Sequence, residues 1–429
     1  MNKVKLSWLF NTISSGTTPP SNKDEYYDNG TINWLNTGDL NDGFVYDIPK
    51  KVTFKALGDF STLKIYKPNS IVMAMYGATI GKLGIINQEF CTNQACVVLS
   101  NPKKNVNFKF IYYCLISKRE DIINKANGGG QPNISQSIVK NIRIGVPDEK
   151  SQEMIAEFLD KKLEMINDLI QSKKTQIELL EEQRQAMITE AVTKGLNPNV
   201  KMKDSGVEWV GEIPEHWEVT KLKYLVSEPL KYGANEVAEL DDRNLPRYIR
   251  ITDINARGIL RKDIFVSLNL NIAKKYRVLY NDILFARSGA TVGKTYIHKE
   301  KKEATFAGYL INARVDKNKC DPDFIYYFTK SNIYNSWINS SLIQATIQNV
   351  SGEKYSNMPV VLPDFIESFE ISRFLLTKSN QIDQMIDSIF LIISKLKEYR
   401  QSLIHEAVTG KIPIEEMESY LKEVEKNGG

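Results

Sequence analysis

The sequence predicts a mixed α/β (α+β) chain in which two globular domains, related by an internal repeat, are separated by two long antiparallel coiled-coil helices. Three observations carry that expectation. Short strings recur in the same order at a nearly constant offset; each copy opens with about 150 residues of alternating strand and turn signals; and each closes with a Gly- and Pro-free stretch of helical periodicity.

The repeat comes first. Gly77-Ala78-Thr79-Ile80-Gly81-Lys82 returns as Gly289-Ala290-Thr291-Val292-Gly293-Lys294, an offset of 212. Phe110-Ile111-Tyr112-Tyr113 returns as Phe324-Ile325-Tyr326-Tyr327 at 214, and Val146-Pro147-Asp148 as Leu362-Pro363-Asp364 at 216. Lys5-Leu6 matches Lys221-Leu222, and Arg184-Gln185 with Glu190-Ala191-Val192-Thr193 matches Arg400-Gln401 with Glu406-Ala407-Val408-Thr409, both at 216. A drift of four residues over so many ordered matches marks a duplication.

Within each globular part, apolar and β-branched runs such as Ser70–Met75 and Asp282–Ala286 alternate with Gly, Asn and Asp turn signals, and a helical stretch surrounds Phe108 to Lys118. From Glu149 to Thr193 the pattern changes. Ile155, Leu159, Leu163, Ile166, Ile170, Ile177, Leu180, Met187 and Ala191 recur at helical spacing, and Ile371, Leu375, Ile382, Ile386, Ile389, Ile393, Leu396, Leu403 and Ala407 repeat the pattern. Both runs follow Pro-Asp, a helix stop and N-cap, and both meet a glycine, Gly195 or Gly410, within two residues of their end. Forty-five residues make a helix of roughly 65 Å. An apolar stripe that long needs a partner of similar length, and the other copy supplies it, so the pair would act as a spacer. The resulting boundaries are 1–148 and 196–362 for the globular parts, 149–195 and 363–411 for the helices, and 412–429 for an acidic tail expected to fray.

Length and composition fit this plan. The chain has 429 residues, 42% hydrophobic and 25% charged, enough for two or three cored domains. No apolar run approaches the roughly 18 residues of a membrane span, and no signal-peptide core follows Met1, so a cytoplasmic protein is expected. Cys91, Cys96, Cys114 and Cys320 lack paired spacing and read as reduced, half-buried thiols; with only His216, His298 and His405 beside them they make a poor metal inventory. Net charge is +4, but it is unevenly placed. Residues 1–150 hold 18 basic and 12 acidic side chains and residues 197–362 hold 24 and 19, whereas 151–196 hold 6 and 9 and 363–429 hold 8 and 12. Basic arms attract a polyanion, and acidic helices avoid it or meet a protein. Two unlike basic domains held apart would read two separate DNA segments, and half-sites roughly 34–36 Å apart fall on one face of the duplex.

Catalytic patterns fail one by one. Gly289 to Thr295 resembles a P-loop, but three residues separate its glycines where four are needed, and the first copy continues Lys82-Leu83 without a hydroxyl for magnesium. A tight turn between strands, whose small residues allow a close approach, is the better reading; a P-loop-like NTPase with a coiled-coil arm is the alternative. Pro19-Pro20 lacks the flanking acidic or amide residue and the aromatic of an adenine methyltransferase loop. Asp148, Asp160, Lys161 and Lys162 imitate a nuclease pattern, but Leu376 replaces Asp160 in the second copy. A solvated helix face explains them. No active site is found, so a non-catalytic chain is expected; a scaffold whose arms bind only protein is a further reading.

The duplicated Gly-Ala-Thr-x-Gly-Lys turns and the helices ending Arg-Gln…Glu-Ala-Val-Thr are joined by the segment Asp204-Ser205-Gly206-Val207-Glu208-Trp209-Val210-Gly211-Glu212-Ile213-Pro214-Glu215-His216-Trp217-Glu218-Val219. On these residues the chain resembles, over essentially its full length, the specificity subunits of Type I restriction–modification systems. The resemblance implies two target recognition domains that read a bipartite, asymmetric site in double-stranded DNA. It implies two modification (methyltransferase) subunits that dock on the helices and bring S-adenosylmethionine. It also implies two restriction (motor–nuclease) subunits that use ATP and Mg, and no cofactor in this chain. The first copy opens at the position matching Glu218, without a counterpart of the Gly-Glu-Ile-Pro-Glu-His-Trp lead-in, which leaves open how its edge is covered.

Base reading needs polar side chains in loops. The candidates are Tyr76, Thr79, Lys82, Gln131, Asn133, Ser135 and Gln136 in the first domain, after the run Gly128-Gly129-Gly130 for the last four. In the second they are Arg287, Ser288, Thr291, Lys294, Gln344, Thr346, Gln348 and Asn349. The recurring turns are expected to set shape or touch phosphate, and the variable loops to carry sequence choice. The competing reading for each residue is a turn side chain bonding its own backbone.

Overall fold

A computed structural model of the chain describes residues 3–126, 133–237, 240–255, 257–343 and 349–427. It divides into two compact units, Met1–Lys173 with Leu391–Gly429, and Lys174–Phe390.

The first unit is built on a five-stranded sheet. Its strands are β1 (Phe10–Ser15), β2 (Gly43–Val45), β3 (Ser70–Ala74), β4 (Leu83–Ile86) and β5 (Cys96–Pro102), in the order β1-β5-β3-β4-β2. All pairings are antiparallel except β4 with β2. β3 reads as a continuous apolar run because both its faces are covered: Val72 and Ala74 join Leu35, Phe90 and Val98 on one side, while helix α1 (Phe108–Ser117) packs against β3 and β4. α1 is followed by α2 (Arg119–Asn124) and α3 (Gln136–Asn141). The chain's first strand, Lys3–Lys5, pairs antiparallel with Arg143–Gly145 just before the long helix α4 (Glu149–Lys194), so the ends of the globular part are tied together.

The second unit repeats the plan. β6 (Lys231–Tyr232), β7 (Ile283–Ala286), β8 (Thr295–Ile297) and β9 (Leu310–Ala313) form an antiparallel sheet in the order β6-β9-β7-β8, the same order as the first four strands of the first sheet. Helices α5 (Pro322–Phe328), α6 (Asn332–Ile343) and α7 (Gly352–Ser356) follow. Glu218–Lys221 pairs with Pro359–Leu362 just before the second long helix, α8 (Phe365–Thr409). Trp217, in the lead-in, is fully buried, meets Phe324 edge-on and donates its indole N–H to Glu367 Oε2 at 2.7 Å.

Both long helices begin on the predicted cap. Asp148 Oδ1 accepts from the Ser151 N–H at 3.0 Å and Asp364 Oδ1 from the Glu367 N–H at 2.8 Å. Both end at a glycine in the left-handed region, Gly195 (φ 77°) and Gly410 (φ 75°). Within each unit, parts of the two helices run antiparallel. In the second, Ile188, Ala191 and Val192 share a buried cluster with Ile371 and Leu375, while Arg184 reaches Asp383 at 2.7 Å. In the first, Arg400 donates to Asn167 Oδ1 at 3.1 Å. Arg184 and Arg400 are repeat equivalents, as are Asn167 and Asp383, so the recurring arginine makes one bond twice. Of the predicted stripes, Ile177, Leu180, Met187 and Leu396 are only half-buried.

Two expectations are corrected. The tail is not frayed: Ile414–Asn427 forms helix α9, with Met417 and Leu421 buried and Tyr420 set edge-on against Phe158 at 5.4 Å. Lys162 lies 3.7 Å from the Tyr420 ring, so α9 covers the first part of α4. The cysteines are fully buried rather than half-buried, and desolvation pushes Cys91, Cys96 and Cys320 up to about 12. Among the described residues no helix is long and apolar enough to cross a membrane, and no cluster of His, Cys, Asp or Glu is placed to hold a metal.

Candidate nucleic-acid interface

The recurring turns join central strands, β3 to β4 and β7 to β8, and are held by the same four backbone bonds. Ala74 N–H donates to Lys82 O (2.9 Å), Gly81 to Ala74 (2.9 Å), Ile80 to Gly77 (3.1 Å) and Lys82 to Thr79 (2.9 Å). In the second unit Ala286 donates to Lys294 (2.8 Å), Gly293 to Ala286 (3.0 Å), Val292 to Gly289 (3.1 Å) and Lys294 to Thr291 (3.0 Å). All four glycines have positive φ, between 74° and 84°, which an L side chain adopts only at a cost. The two glycines of each turn differ. A Cβ on Gly81 would meet Ile123 at 2.9 Å and one on Gly293 would meet Ile338 at 3.1 Å, whereas among the described residues none beyond the chain neighbours lies within 4 Å of a Cβ on Gly77 or Gly289. The base of each turn is therefore packed on a helix of its own unit, and the tip at Ala78 or Ala290 is open. Each turn also leads into a strand. The helix N-terminus that would cradle a nucleotide phosphate is absent at both turns, and nothing supports the NTPase alternative.

A second element docks beside each turn. Ile134 N–H donates to Met75 O at 2.7 Å, and Val350 N–H donates to Arg287 O at 2.8 Å. Ile134 and Val350 are fully buried anchors. The next residues, Ser135 and Ser351, cap α3 and α7 by accepting from Ile138 and Lys354 N–H, each at 3.2 Å. The polypeptide on the C-terminal side of residues 127–132 and 344–348 is thus fixed against the turn in both copies.

The predicted residues separate on this frame. Lys82 and Asn133 are exposed and Tyr76 and Thr79 half-buried, with desolvation raising the Tyr76 phenol. Ser135 spends its hydroxyl on the cap, and Gln136 donates to Ser15 Oγ at 2.9 Å. In the second unit Ser288 and Asn349 form an antiparallel β-bridge, Arg287 Nε lies 3.4 Å from Asn349 Oδ1, and Thr291 is half-buried in the turn. Lys294 turns inward: its Nζ donates to Ile254 O at 2.5 Å, and desolvation lowers its pKa. Gln131, Gln344, Thr346 and Gln348 lie outside the described residues. The nuclease-like residues have local roles, Asp148 as a cap and Asp160 as acceptor of Lys109 and Tyr113, each at 2.5 Å. Of the three histidines, His298 is fully buried, and His405 on α8 bonds Ser117 at 2.9 Å.

Sequence reading missed Tyr232. Its ring lies 4.8 Å beneath the Arg287 guanidinium, and its hydroxyl accepts from Gly352 N–H at 2.8 Å. It also missed Lys330, beside the second turn. There a signal existed, because the 214-residue offset aligns Lys330 with Ile116, a charged residue against an apolar one.

With this geometry established, comparison with known proteins gives concordant matches. The Type I restriction modification DNA specificity domain family matches residues 1–179 and again 214–388. The chain is similar to the Type I restriction enzyme MjaVIII specificity subunit of Methanocaldococcus jannaschii, at 24% identity over 399 residues covering 90% of this chain and 88% of that one. It is similar to the EcoBI specificity subunit of Escherichia coli, at 24% identity over 80% of this chain and 74% of that one. Among solved structures, a chain from work on the assembly and conformational transition of the type I R-M system superposes with a TM-score of 0.71 at 14% identity, covering 96% and 98% of the two chains. The HsdS subunit from Thermoanaerobacter tengcongensis gives 0.52 at 13% identity, covering 96% and 97%.

Proposed function

The chain belongs to the Type I restriction modification DNA specificity family, and from that premise we propose that its two units read the unlike halves of one split DNA site. It is a DNA-sequence-recognition subunit of a Type I restriction–modification system. The observation that carries the finer reading is the frame common to both units: an identical set of backbone bonds presenting different side chains. Met75 and Tyr76 in one copy stand where Arg287 and Ser288 stand in the other, and the shared lysine is exposed as Lys82 but turned inward as Lys294. Equal frames with unequal side chains dock alike and read differently, which makes the site bipartite and asymmetric.

On this reading the chain performs no reaction. Two modification subunits dock on the acidic long helices and supply S-adenosylmethionine, and two restriction subunits with ATP and Mg complete the complex. Mapping methylated adenines in cells that express the chain with its modification partner tests this. One motif of two unlike half-sites around an unread spacer is expected; a single uninterrupted motif, or two identical half-sites, would overturn it.

A further inference from the structure

A cleft of about 530 Å³ lies in the second unit, against the inner side of its turn, and is lined by Gln185, Lys294, Thr329, Lys330, Asn335 and Asn339 among others. Among the described residues no carboxylate lines it. Lys294 Nζ donates to Ile254 O at 2.5 Å and Lys330 Nζ to Thr295 O at 2.9 Å, and neither pairs with a carboxylate among the described residues. An ammonium carries three donors, so each lysine has hydrogen-bonding capacity to spare beside the same cleft. Desolvation, with a smaller contribution from Lys294, brings Lys330 down to about 8. Two cations sharing a partly enclosed space without a counter-ion are unfavourable unless an anion joins them.

The repeat shows that the fold does not require this arrangement. Where the second unit has Thr295, Thr329 and Lys330, the first has Leu83, Leu115 and Ile116, all buried. An apolar filling is available at these positions, yet here the two threonine hydroxyls bond one another at 2.7 Å and a lysine takes the isoleucine's place. We propose that this cleft is an anion site of the second unit only, taking a phosphate group between Lys294 and Lys330, with Asn335 and Asn339 as neutral donors at its rim. The phosphate is a backbone diester of bound DNA or a free phosphate ion, and the free-ion case stands without the DNA reading.

The full chain is titrated with inorganic phosphate at constant ionic strength, chloride replacing phosphate, and followed by thermal unfolding and by ³¹P line broadening. Native protein is expected to bind, and Lys330→Ile, which installs the first unit's own residue, and Lys294→Gln are each expected to weaken binding at least ten-fold. The complex with the modification partner is then assayed for the salt dependence of DNA affinity. A slope of log K against log salt that falls by about one in Lys330→Ile assigns the site to a DNA diester. An unchanged slope together with phosphate binding that both variants weaken assigns it to the free ion. Unchanged or absent phosphate binding together with an unchanged slope overturns the proposal.

Discussion

Arg287 offers the sharpest separation of fold from reading. Within the protein its guanidinium makes one long contact, Nε to Asn349 Oδ1 at 3.4 Å, and lies 4.8 Å from the Tyr232 ring. The first is near the limit of a hydrogen bond, and a cation over an exposed ring contributes about 0.5–1 kcal/mol. Arg287→Met keeps the aliphatic stem, so stability should fall by no more than about 1 kcal/mol. The two terminal nitrogens have no protein partner among the described residues, which leaves the planar fork for a base edge. A bidentate contact with guanine discriminates by about 1–3 kcal/mol, roughly 5- to 150-fold in affinity. The assay is competition binding by the complex with the modification partner, using duplexes changed one base pair at a time. The expected result is loss of preference at one position of one half-site, the other half-site still being read as before. Weakening by the same factor on every duplex would move Arg287 to a phosphate contact and refute the reasoning. So would a stability loss above about 3 kcal/mol, which would make it a packing residue.

Three further outcomes follow from the same geometry. Gly77→Ala should cost about 1–2 kcal/mol in urea unfolding from its positive φ alone, and Gly81→Ala more, because its new methyl must also displace Ile123. Trp217→Ala should cost about 3–5 kcal/mol, and Trp217→Phe less, since a ring still fills the space against Phe324 while Glu367 loses its indole donor; thermal unfolding of both variants checks the order. Lys330 has a folded pKa of about 8, below its ordinary 10.5, so the unfolded chain binds the extra proton between those values and stability rises with pH across that window. Lys330→Met should remove this rise, a difference of about 2 kcal/mol after screening at the partly open cleft, read from urea midpoints at pH 7.5 and pH 10.

What the sequence made legible was whatever a short-range rule or a repeat encodes. The long helices announced themselves through periodicity, an aspartate cap and a left-handed glycine, each a local cause visible without tertiary structure. The turns were legible because glycine takes their φ values without the cost a side chain adds, and their likeness to a P-loop dissolved on counting residues and on the strand that follows. Helix α9 was missed because its acidic composition outweighed apolar residues such as Met417, Tyr420 and Leu421, and the partners of Tyr420, Phe158 and Lys162, lie some 260 residues earlier. Candidate side chains were legible by type but not by direction. Ser135, Gln136 and Lys294 are polar residues in the predicted places, yet a cap, a strand hydroxyl and a backbone carbonyl engage them.

That loss of direction bears on how one frame can serve two readings. Each turn is closed by main-chain bonds and two glycines, and its docking partner is held by a main-chain bond to the residue after the strand, Met75 or Arg287. None of these bonds involves the side chains at 75, 76 and 82 or at 287, 288 and 294. A thioether can therefore stand in one copy where a guanidinium stands in the other, and a phenol where a hydroxymethyl stands, without changing the backbone that presents them. The cost of altering what is read then falls on neighbouring side chains, such as Tyr232 of the edge strand β6 beneath Arg287, rather than on the backbone of the sheet. Replacing the exposed Lys82 by Ala should accordingly leave the first unit's stability within about 1 kcal/mol of native, because it removes no bond of the frame. A larger loss in urea unfolding would mean that the side chains, and not the backbone alone, hold the turn in place.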